Sequence, residues 1–188
     1  MTASAVAPAV ETAGDWPDVQ RPRVLIAFGS RNGGTADIAR WIAAAMEADG
    51  LDVVVRPAGN VRSVAAFDAV VLGGALYANR WHADARRFVR RHARRLRGRP
   101  VWLFSSGPLD ASADDHEIPA VRGVQELLTR VGARGHYTFG GRLTSDAKGF
   151  PAHAMAKKHA GDWRDPDHIR RVANEIADAL VPASHAAE

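Results

Sequence analysis

Five short, continuous apolar segments alternate with amphipathic segments along the chain, and this alternation restricts the fold more than any other feature. The apolar segments are Arg23–Gly29, Leu51–Arg56, Asp68–Gly73, Pro100–Ser105 and Gly135–Gly140. Apolar residues at helical spacing occupy Thr35–Asp49, Ala83–Leu96, Ile118–Val131 and a last helix that opens at Asp165 and Pro166. Continuous apolar strands joined by helices are typical of a parallel sheet covered on both faces. The sequence therefore predicts an α/β fold with a five-stranded parallel sheet.

The chain has 188 residues, which suffice for a single domain, and we place that domain at residues 22–181. Residues 1–21 are rich in Ala, Pro, Thr and Val without periodicity, so we expect a disordered tail there and a flexible tail at 182–188. The absence of cysteine excludes disulfides, thiolate nucleophiles, iron–sulfur clusters and cysteine-ligated zinc. Neither a secretory signal nor an apolar run near the ~20 residues that span a bilayer is present. We therefore expect a cytoplasmic protein.

The loops after the first, third and fourth strands are the candidate ligand-binding segments, because ligands of such sheets bind beyond the carboxyl ends of the strands. The loop at 29–35 (GSRNGGT) places two hydroxyls and adjacent glycines before a helix, which suits either a phosphate or an ordinary turn. The segment at 73–82 (GGALYANRWH) contains Tyr77 and Trp81, which can pack on a flat ligand or cover the sheet edge. The loop at 105–110 (SSGPLD) is another turn of hydroxyls and glycine.

Several well-known site motifs are missing from these loops. No nucleotide P-loop, dinucleotide fingerprint or hydrolase nucleophile elbow occurs in the sequence. Asp114–Glu117 resembles a metal-ligand cluster, but acidic residues there also favour the start of the next helix. His153 and His159 are spaced off one helical face, so we predict no metal site. His82 abuts the candidate ligand loops, and we expect it to act through hydrogen bonds.

These segments together resemble the flavodoxin-like family, and within it the menaquinone-dependent protoporphyrinogen oxidase type. The loop GSRNGGT is similar to the phosphate loop STRDGQT of that family. The stretch Gly73–Val89 is similar to the family's small-residue loop, which is followed by an aromatic–His pair, here Trp81 and His82, and a basic helix. The strand PVWLFS and the pair Asp162 and Trp163 also fit. The resemblance extends over residues 23–180.

The resemblance implies a flavodoxin-like sheet with strand order 2-1-3-4-5, helices on both faces and FMN as cofactor. It implies that the phosphate lies on the Ser30–Thr35 loop and the isoalloxazine between the loops 74–79 and 105–110. The implied cofactor-binding residues are Ser30, Arg31, Asn32, Gly33, Gly34, Thr35, Gly74, Ala75, Leu76, Tyr77, Ala78, Asn79, Ser105, Ser106, Gly107, Pro108 and Leu109. No catalytic acid or base is predicted, because flavin electron transfer does not require one.

The function implied is that of an FMN-dependent oxidoreductase of the protoporphyrinogen-dehydrogenase type, with a quinone or a redox protein as acceptor. Two alternatives stay open. One is a flavodoxin that carries electrons between proteins without a reaction of its own. The other is a domain without flavin that binds a partner through an arginine-rich helix.

That helix, Arg86–Arg97, lies in the most basic part of the chain. Between Arg80 and Arg99 there are nine arginines and one acid, Asp84, a local charge of +8. Since the net charge is +4, the remainder of the chain sums to −4. The arginines either form a solvated surface or bind an acidic protein, an anionic membrane surface or an acidic substrate. We expect no nucleic-acid binding, because aromatic residues are not interleaved with these charges.

Overall fold

Five parallel strands form the centre of the fold. The computed structural model describes residues 21–110, 118–145 and 160–181. The strands are β1 (Arg23–Gly29), β2 (Asp52–Pro57), β3 (Ala69–Tyr77), β4 (Arg80–Trp81), β5 (Val101–Ser106), β6 (Gly135–Phe139), β7 (Arg142–Leu143) and β8 (Gly161–Asp162). The α-helices are α1 (Gly34–Ala48), α2 (Ala83–Leu96), α3 (Arg122–Val131) and α4 (Pro166–Asp178). The predicted tails (Arg21 apart), Asp114–Glu117, His153 and His159 lie outside the described residues.

The strand order confirms the predicted topology. The five long strands pair in the order β2-β1-β3-β5-β6, which is 2-1-3-4-5 when only these strands are counted. All four pairings are parallel, with Val24 opposite both Val53 and Ala69, and Leu103 opposite His136. The short β4 pairs antiparallel with the end of β3, and β7 and β8 form a separate ladder. The order in which the chain adds strands to the sheet therefore reverses between β1 and β3, and such folds bind ligands at this switch point.

Two apolar layers cover the two faces of the sheet. Val24 and Ile26 of β1 pack in one layer with residues of α1 and α4, whereas Leu25 and Ala27 pack in the other with residues of α2 and α3. Both sets are almost completely buried. Each buried Leu, Ile or Val side chain stabilises the fold by roughly 1.5–3 kcal/mol. Burial on both faces explains why the strands are continuously apolar in sequence.

Two element boundaries differ by more than one residue from the sequence-based expectation. Strand β3 continues past Gly73 to Tyr77, because its last residues pair with β5 and β4. Most of the expected loop at 74–79 is therefore strand, and the turn itself consists of Ala78 and Asn79, both at positive φ. Helix α3 begins at Arg122 rather than at Ile118. Pro119 disfavours helical backbone at Ile118, and the extended backbone of Val121 (ψ 151°) then sets the start of the helix at Arg122.

Candidate functional site

A cavity of about 350 Å³ lies where the carboxyl ends of β1, β3 and β5 meet. The loop after β1 contributes Ser30, Arg31, Asn32, Gly34 and Thr35 to its wall. The end of β3 and its turn contribute Ala75, Leu76, Tyr77 and Ala78, and the segment from the end of β5 contributes Ser106, Gly107 and Leu109. The three loop segments singled out in the sequence thus meet around one cavity.

Five of the expected site residues do not line this cavity. Asn79, Ser105 and Pro108 line a neighbouring cavity of about 300 Å³ instead. Gly33 is the N-cap of α1 and has φ +81°, a left-handed conformation that favours glycine. Gly74 lies inside β3, where a Cβ atom would be 2.4 Å from the Trp81 ring. The structure therefore places Gly74 against a side chain rather than beside either cavity.

A fourth segment, absent from the sequence-based set, completes the wall of the first cavity. It consists of Gly141, Arg142 and Leu143, which follow β6. The Gly141 N–H donates to the carbonyl of Pro108 at 2.7 Å, and the Trp163 N–H donates to the carbonyl of Gly141 at 3.0 Å. The same rule about carboxyl ends of parallel strands could have drawn attention to this segment. The loops after strands one, three and four were singled out because such ligands bind near the topological switch point, and this segment follows the fifth strand instead.

Two buried polar atoms in the wall of this cavity have no hydrogen-bond partner among the described residues. They are the Thr35 hydroxyl, in a residue that is 1% exposed, and Nε of Arg142. An unsatisfied buried polar group costs roughly 1–3 kcal/mol. Ser30, by contrast, is partnered, because its hydroxyl accepts a hydrogen bond from the Gly33 N–H at 3.2 Å. The two unpartnered groups therefore indicate a ligand with acceptor oxygens at the N-terminus of α1.

The guanidinium of Arg142 is held in place by Asp37 in the first turn of α1. Nη1 of Arg142 lies 2.9 Å from Oδ2 of Asp37, and Nη1 of Arg164 lies 3.0 Å from the same oxygen. Arg164 also pairs with Asp162, and its hydrogen bonds lower the pKa of the Asp162 carboxyl and raise the pKa of the Arg164 guanidinium. Asp37 thus fixes the end of the Arg142 side chain and leaves its Nε for another acceptor.

The two aromatic residues of the segment at 73–82 take different roles. The Tyr77 ring lines the first cavity, with the Arg31 guanidinium 5.9 Å from its centroid. Burial raises the pKa of the Tyr77 phenol, so the ring is neutral at physiological pH. Trp81 is 2% exposed, and its Nε1 donates a hydrogen bond to Ser105 at 2.9 Å. Tyr77 is therefore available to a flat ligand, whereas Trp81 covers the sheet.

Comparisons with known proteins agree with this geometry. The sequence profile described as "Flavodoxin domain" matches residues 25–158, well over half of the chain. The chain belongs to the flavodoxin-domain family. Membership of this family indicates FMN as the cofactor, and the donors at Thr35 and Arg142, which have no partner among the residues that the structure describes, are suited to its phosphate.

Flavodoxins of known structure share the fold. An archaeal flavodoxin is 15% identical, with a TM-score of 0.60 over 84% of this chain and 98% of that one. Oxidised flavodoxin 2 from Bacillus cereus is 21% identical, with a TM-score of 0.56 over 84% of this chain and 98% of that one. At these identities the likeness is evidence of fold alone.

A shorter match is to an enzyme. Protoporphyrinogen IX dehydrogenase [quinone] of Escherichia coli K12 is 30% identical over 88 residues, which cover 44% of this chain and 47% of that protein. The chain thus spans about half the length of the curated relatives that it matches.

The arginines of α2 form a surface of their own on this flavodoxin domain. The helix buries Ala85, Phe88, Val89, His92 and Leu96 against the sheet. We call the exposed arginines Arg87, Arg90, Arg91, Arg94, Arg95 and Arg97 the arginine face. Among the described residues, Arg87 is its only member in an ion pair, with Asp84 at 2.8 Å. His82 caps the helix by accepting a hydrogen bond from the Asp84 N–H, and no residue of the arginine face lines either cavity.

Residues 21–110, 118–145 and 160–181 were compared with the requirements of a membrane-spanning helix and of a metal site, and they meet neither. Over these ranges no helix has both the length and the apolar character to cross a bilayer. The same ranges contain no group of three or more His, Asp or Glu side chains placed to hold a metal ion.

Proposed function

We propose that this flavodoxin-domain protein is an FMN-dependent oxidoreductase of the protoporphyrinogen-dehydrogenase type, with a quinone or a redox protein as electron acceptor. The observation that carries the proposal is the first cavity, where three loops and the segment after β6 surround two hydrogen-bonding groups that have no partner in the described part of the chain. The partial match to protoporphyrinogen IX dehydrogenase supports the class of reaction. Bound FMN supplies the electron-transfer chemistry, since its ring takes up and releases one or two electrons.

The residues of this chain would bind and orient the cofactor. The α1 N-terminus, the Thr35 hydroxyl and Nε of Arg142 would donate hydrogen bonds to the phosphate. The Arg142 guanidinium adds a positive charge, so its contribution is a charge-assisted hydrogen bond. Tyr77 and Leu109, which also line the cavity, would provide flat and apolar surface for the ring. No side chain is assigned as acid or base.

A second candidate function is electron carriage between proteins. The arginine face favours it, because five of its six guanidinium groups have no carboxylate partner among the described residues. Such a surface attracts an acidic redox protein over a range set by the Debye length, which is about 10 Å at 0.1 M salt. An anionic membrane surface would be attracted by the same charges. A domain without flavin that binds through this face is the third candidate.

One series of measurements separates these functions. Purified protein is titrated with FMN while flavin fluorescence is followed, and the complex is then assayed with protoporphyrinogen and menadione. Tight FMN binding and turnover are the expected results. Binding without turnover of any small substrate, together with salt-sensitive electron transfer to an acidic redox protein, would favour the carrier. Absence of FMN binding would leave the flavin-free binding module.

A further inference from the structure

The second cavity lies directly beside the first and differs from it in chemistry. The two share Leu76, Ala78 and Gly107. A ligand in the second cavity is therefore a neighbour of a ring bound in the first. Much of the remaining wall is apolar and comes from Pro108, Ile118, Pro119 and Val121.

Within residues 21–110, 118–145 and 160–181, no Lys, Arg, Asp or Glu side chain lines the second cavity, whereas Arg31 and Arg142 line the first. The ionisable residue of this described wall is His136, and burial lowers the pKa of that imidazole to about 4. The described wall is therefore uncharged at physiological pH. Burial of a carboxylate in such surroundings without a partner is unfavourable. A neutral ligand suits this wall better than a carboxylate-bearing tetrapyrrole.

A hydrogen-bonded chain links Trp81, Ser105 and His136. The indole Nε1 of Trp81 can only donate, and it donates to the Ser105 hydroxyl oxygen at 2.9 Å. The Ser105 hydroxyl lies 2.9 Å from Nε2 of His136, and because a hydroxyl can accept and donate at once, its own proton can go to that nitrogen. In that arrangement Nε2 is the acceptor, and the ring carries its proton on Nδ1, which can donate a hydrogen bond to an oxygen atom.

We infer that the second cavity is the binding site of a quinone-class electron acceptor, with His136 donating a hydrogen bond to a quinone oxygen. The inference rests on the proposed function, because it supplies the acceptor side of that reaction. The quinone gains two electrons and two protons and becomes the quinol. Bound FMN in its reduced form would supply these two electrons and two protons, so the exchange needs no other reactant. A neutral ring with polar oxygens matches a wall that is apolar except for a few hydroxyl, amide and imidazole groups.

The experiment uses the FMN-bound protein and menadione as the probe. Val121→Trp places an indole in the second cavity, and His136→Phe keeps a ring but removes the donor. His168→Phe is the matched control, because His168 packs edge-on against Phe139 at 5.4 Å and lines neither cavity. Each protein is measured for FMN affinity, for menadione binding by equilibrium dialysis, and for reoxidation of the reduced protein by menadione or ferricyanide. Ferricyanide accepts electrons without occupying a pocket.

We expect Val121→Trp to weaken menadione binding and slow reoxidation by menadione about tenfold or more. His136→Phe should weaken menadione binding about three- to tenfold, the size of one neutral hydrogen bond. FMN affinity and reoxidation by ferricyanide should stay unchanged in both variants, and His168→Phe should match the wild type throughout.

Two results would overturn the inference. If both cavity variants bind menadione as the wild type does, the quinone site lies elsewhere although the proposed oxidoreductase still stands. If they lose FMN while remaining folded by thermal melting, the second cavity belongs to the cofactor. Failure of the proposed function has a different signature, since the wild-type protein itself would then bind no FMN or transfer no electrons to menadione.

Discussion

The two neighbouring cavities at the carboxyl edge of the sheet differ in whether their polar groups have hydrogen-bond partners within the protein. The first leaves the Thr35 hydroxyl and Nε of Arg142 without partners among the described residues, and two arginines line it. In the second, Ser105 and His136 bond to each other, and the Thr138 hydroxyl donates to the carbonyl of Ile118. Polar groups at the first cavity are left for a ligand, whereas many of those at the second are already used within the protein.

The difference follows from the elements that form each wall. The first cavity is lined by a loop entering α1, and a helix N-terminus has N–H groups with no partner in the helix. The second is lined largely by β5, β6 and the segment before α3, where the backbone is paired in the sheet and the side chains pair across strands. A parallel sheet thus offers an anion site and an apolar site at one edge. Perturbing either cavity tests this contrast, and we expect the largest effect in the second.

The neutrality of the second cavity depends on His136 and is testable by pH. The folded protein holds the pKa of this imidazole at about 4, against 6.5 for the free side chain. Between pH 6.5 and 4 the unfolded chain therefore takes up a proton that the folded protein does not. The free energy of unfolding should fall through this window as the pH is lowered, by up to about 3 kcal/mol, and this group should add no further loss below pH 4.

Urea denaturation of the wild type and of His136→Phe between pH 4 and 7.5 measures this effect. The difference between the two proteins should diminish as the pH falls, because the variant lacks the titrating group. His92 also has its pKa lowered by burial, but it is present in both proteins and cancels from the difference. Parallel stability curves would show that His136 titrates normally, and the second cavity would then carry charge below neutral pH.

The sequence was sufficient to predict the strand order of the sheet, but it was not sufficient to predict where every strand ends at the carboxyl edge. Strand β1 was predicted with its observed bounds, because a continuous apolar run ended by glycine is typical of a strand buried on both faces. The predicted end of β3 was wrong, because Gly73 and Gly74 look like a loop in sequence. In the structure, Cβ atoms at these positions would be 2.0 Å from the Phe104 ring and 2.4 Å from the Trp81 ring. These glycines make room for aromatic rings that lie elsewhere in the sequence.

The residues of the candidate site were likewise predictable only in part. The loop before α1 was recognisable because its glycines and hydroxyls adjoin a helix that is obvious in sequence. Arg142 was not, since its role depends on an ion pair with Asp37 that closes a long stretch of chain. The side-chain bond between Ser105 and His136 depends likewise on the register of β5 and β6. Local patterns predict backbone geometry well, but they do not report contacts that only the folded sheet creates.

Of the charged residues that line the first cavity, Arg142 should contribute most to FMN affinity. Arg142→Met removes a charge-assisted hydrogen bond while keeping much of the side-chain length, so FMN affinity should fall about 10- to 100-fold. Riboflavin, which lacks the phosphate, should bind the variant as it binds the wild type. Fluorescence titration at several salt concentrations measures both ligands, and the salt dependence of FMN binding should be weaker in the variant.

Arg40→Met is the matched control for this experiment. Arg40 pairs with the same carboxylate, with Nη1 2.7 Å from Oδ1 of Asp37, but it is exposed and lies outside the cavity. Its loss should change FMN affinity by no more than about twofold. Equal losses in the two variants would mean that the arginines act through Asp37, and the contrast between a charged and an uncharged cavity would lose its main support.

The smallest predicted effect is that of Thr35→Val, which should raise the stability of the cofactor-free protein and lower its affinity for FMN. Thr35→Val replaces an unpartnered buried hydroxyl with a methyl group of similar size, so the cofactor-free protein should gain up to about 1 kcal/mol in free energy of unfolding. FMN affinity should fall about three- to tenfold, because one donor to the phosphate is lost. Thr138→Val is the control, since its hydroxyl already donates to Ile118 at 3.0 Å. That variant should lose stability and keep FMN affinity. If Thr35→Val instead destabilises the cofactor-free protein, the hydroxyl has a partner within the chain, and the first cavity is no more prepared for a ligand than the second.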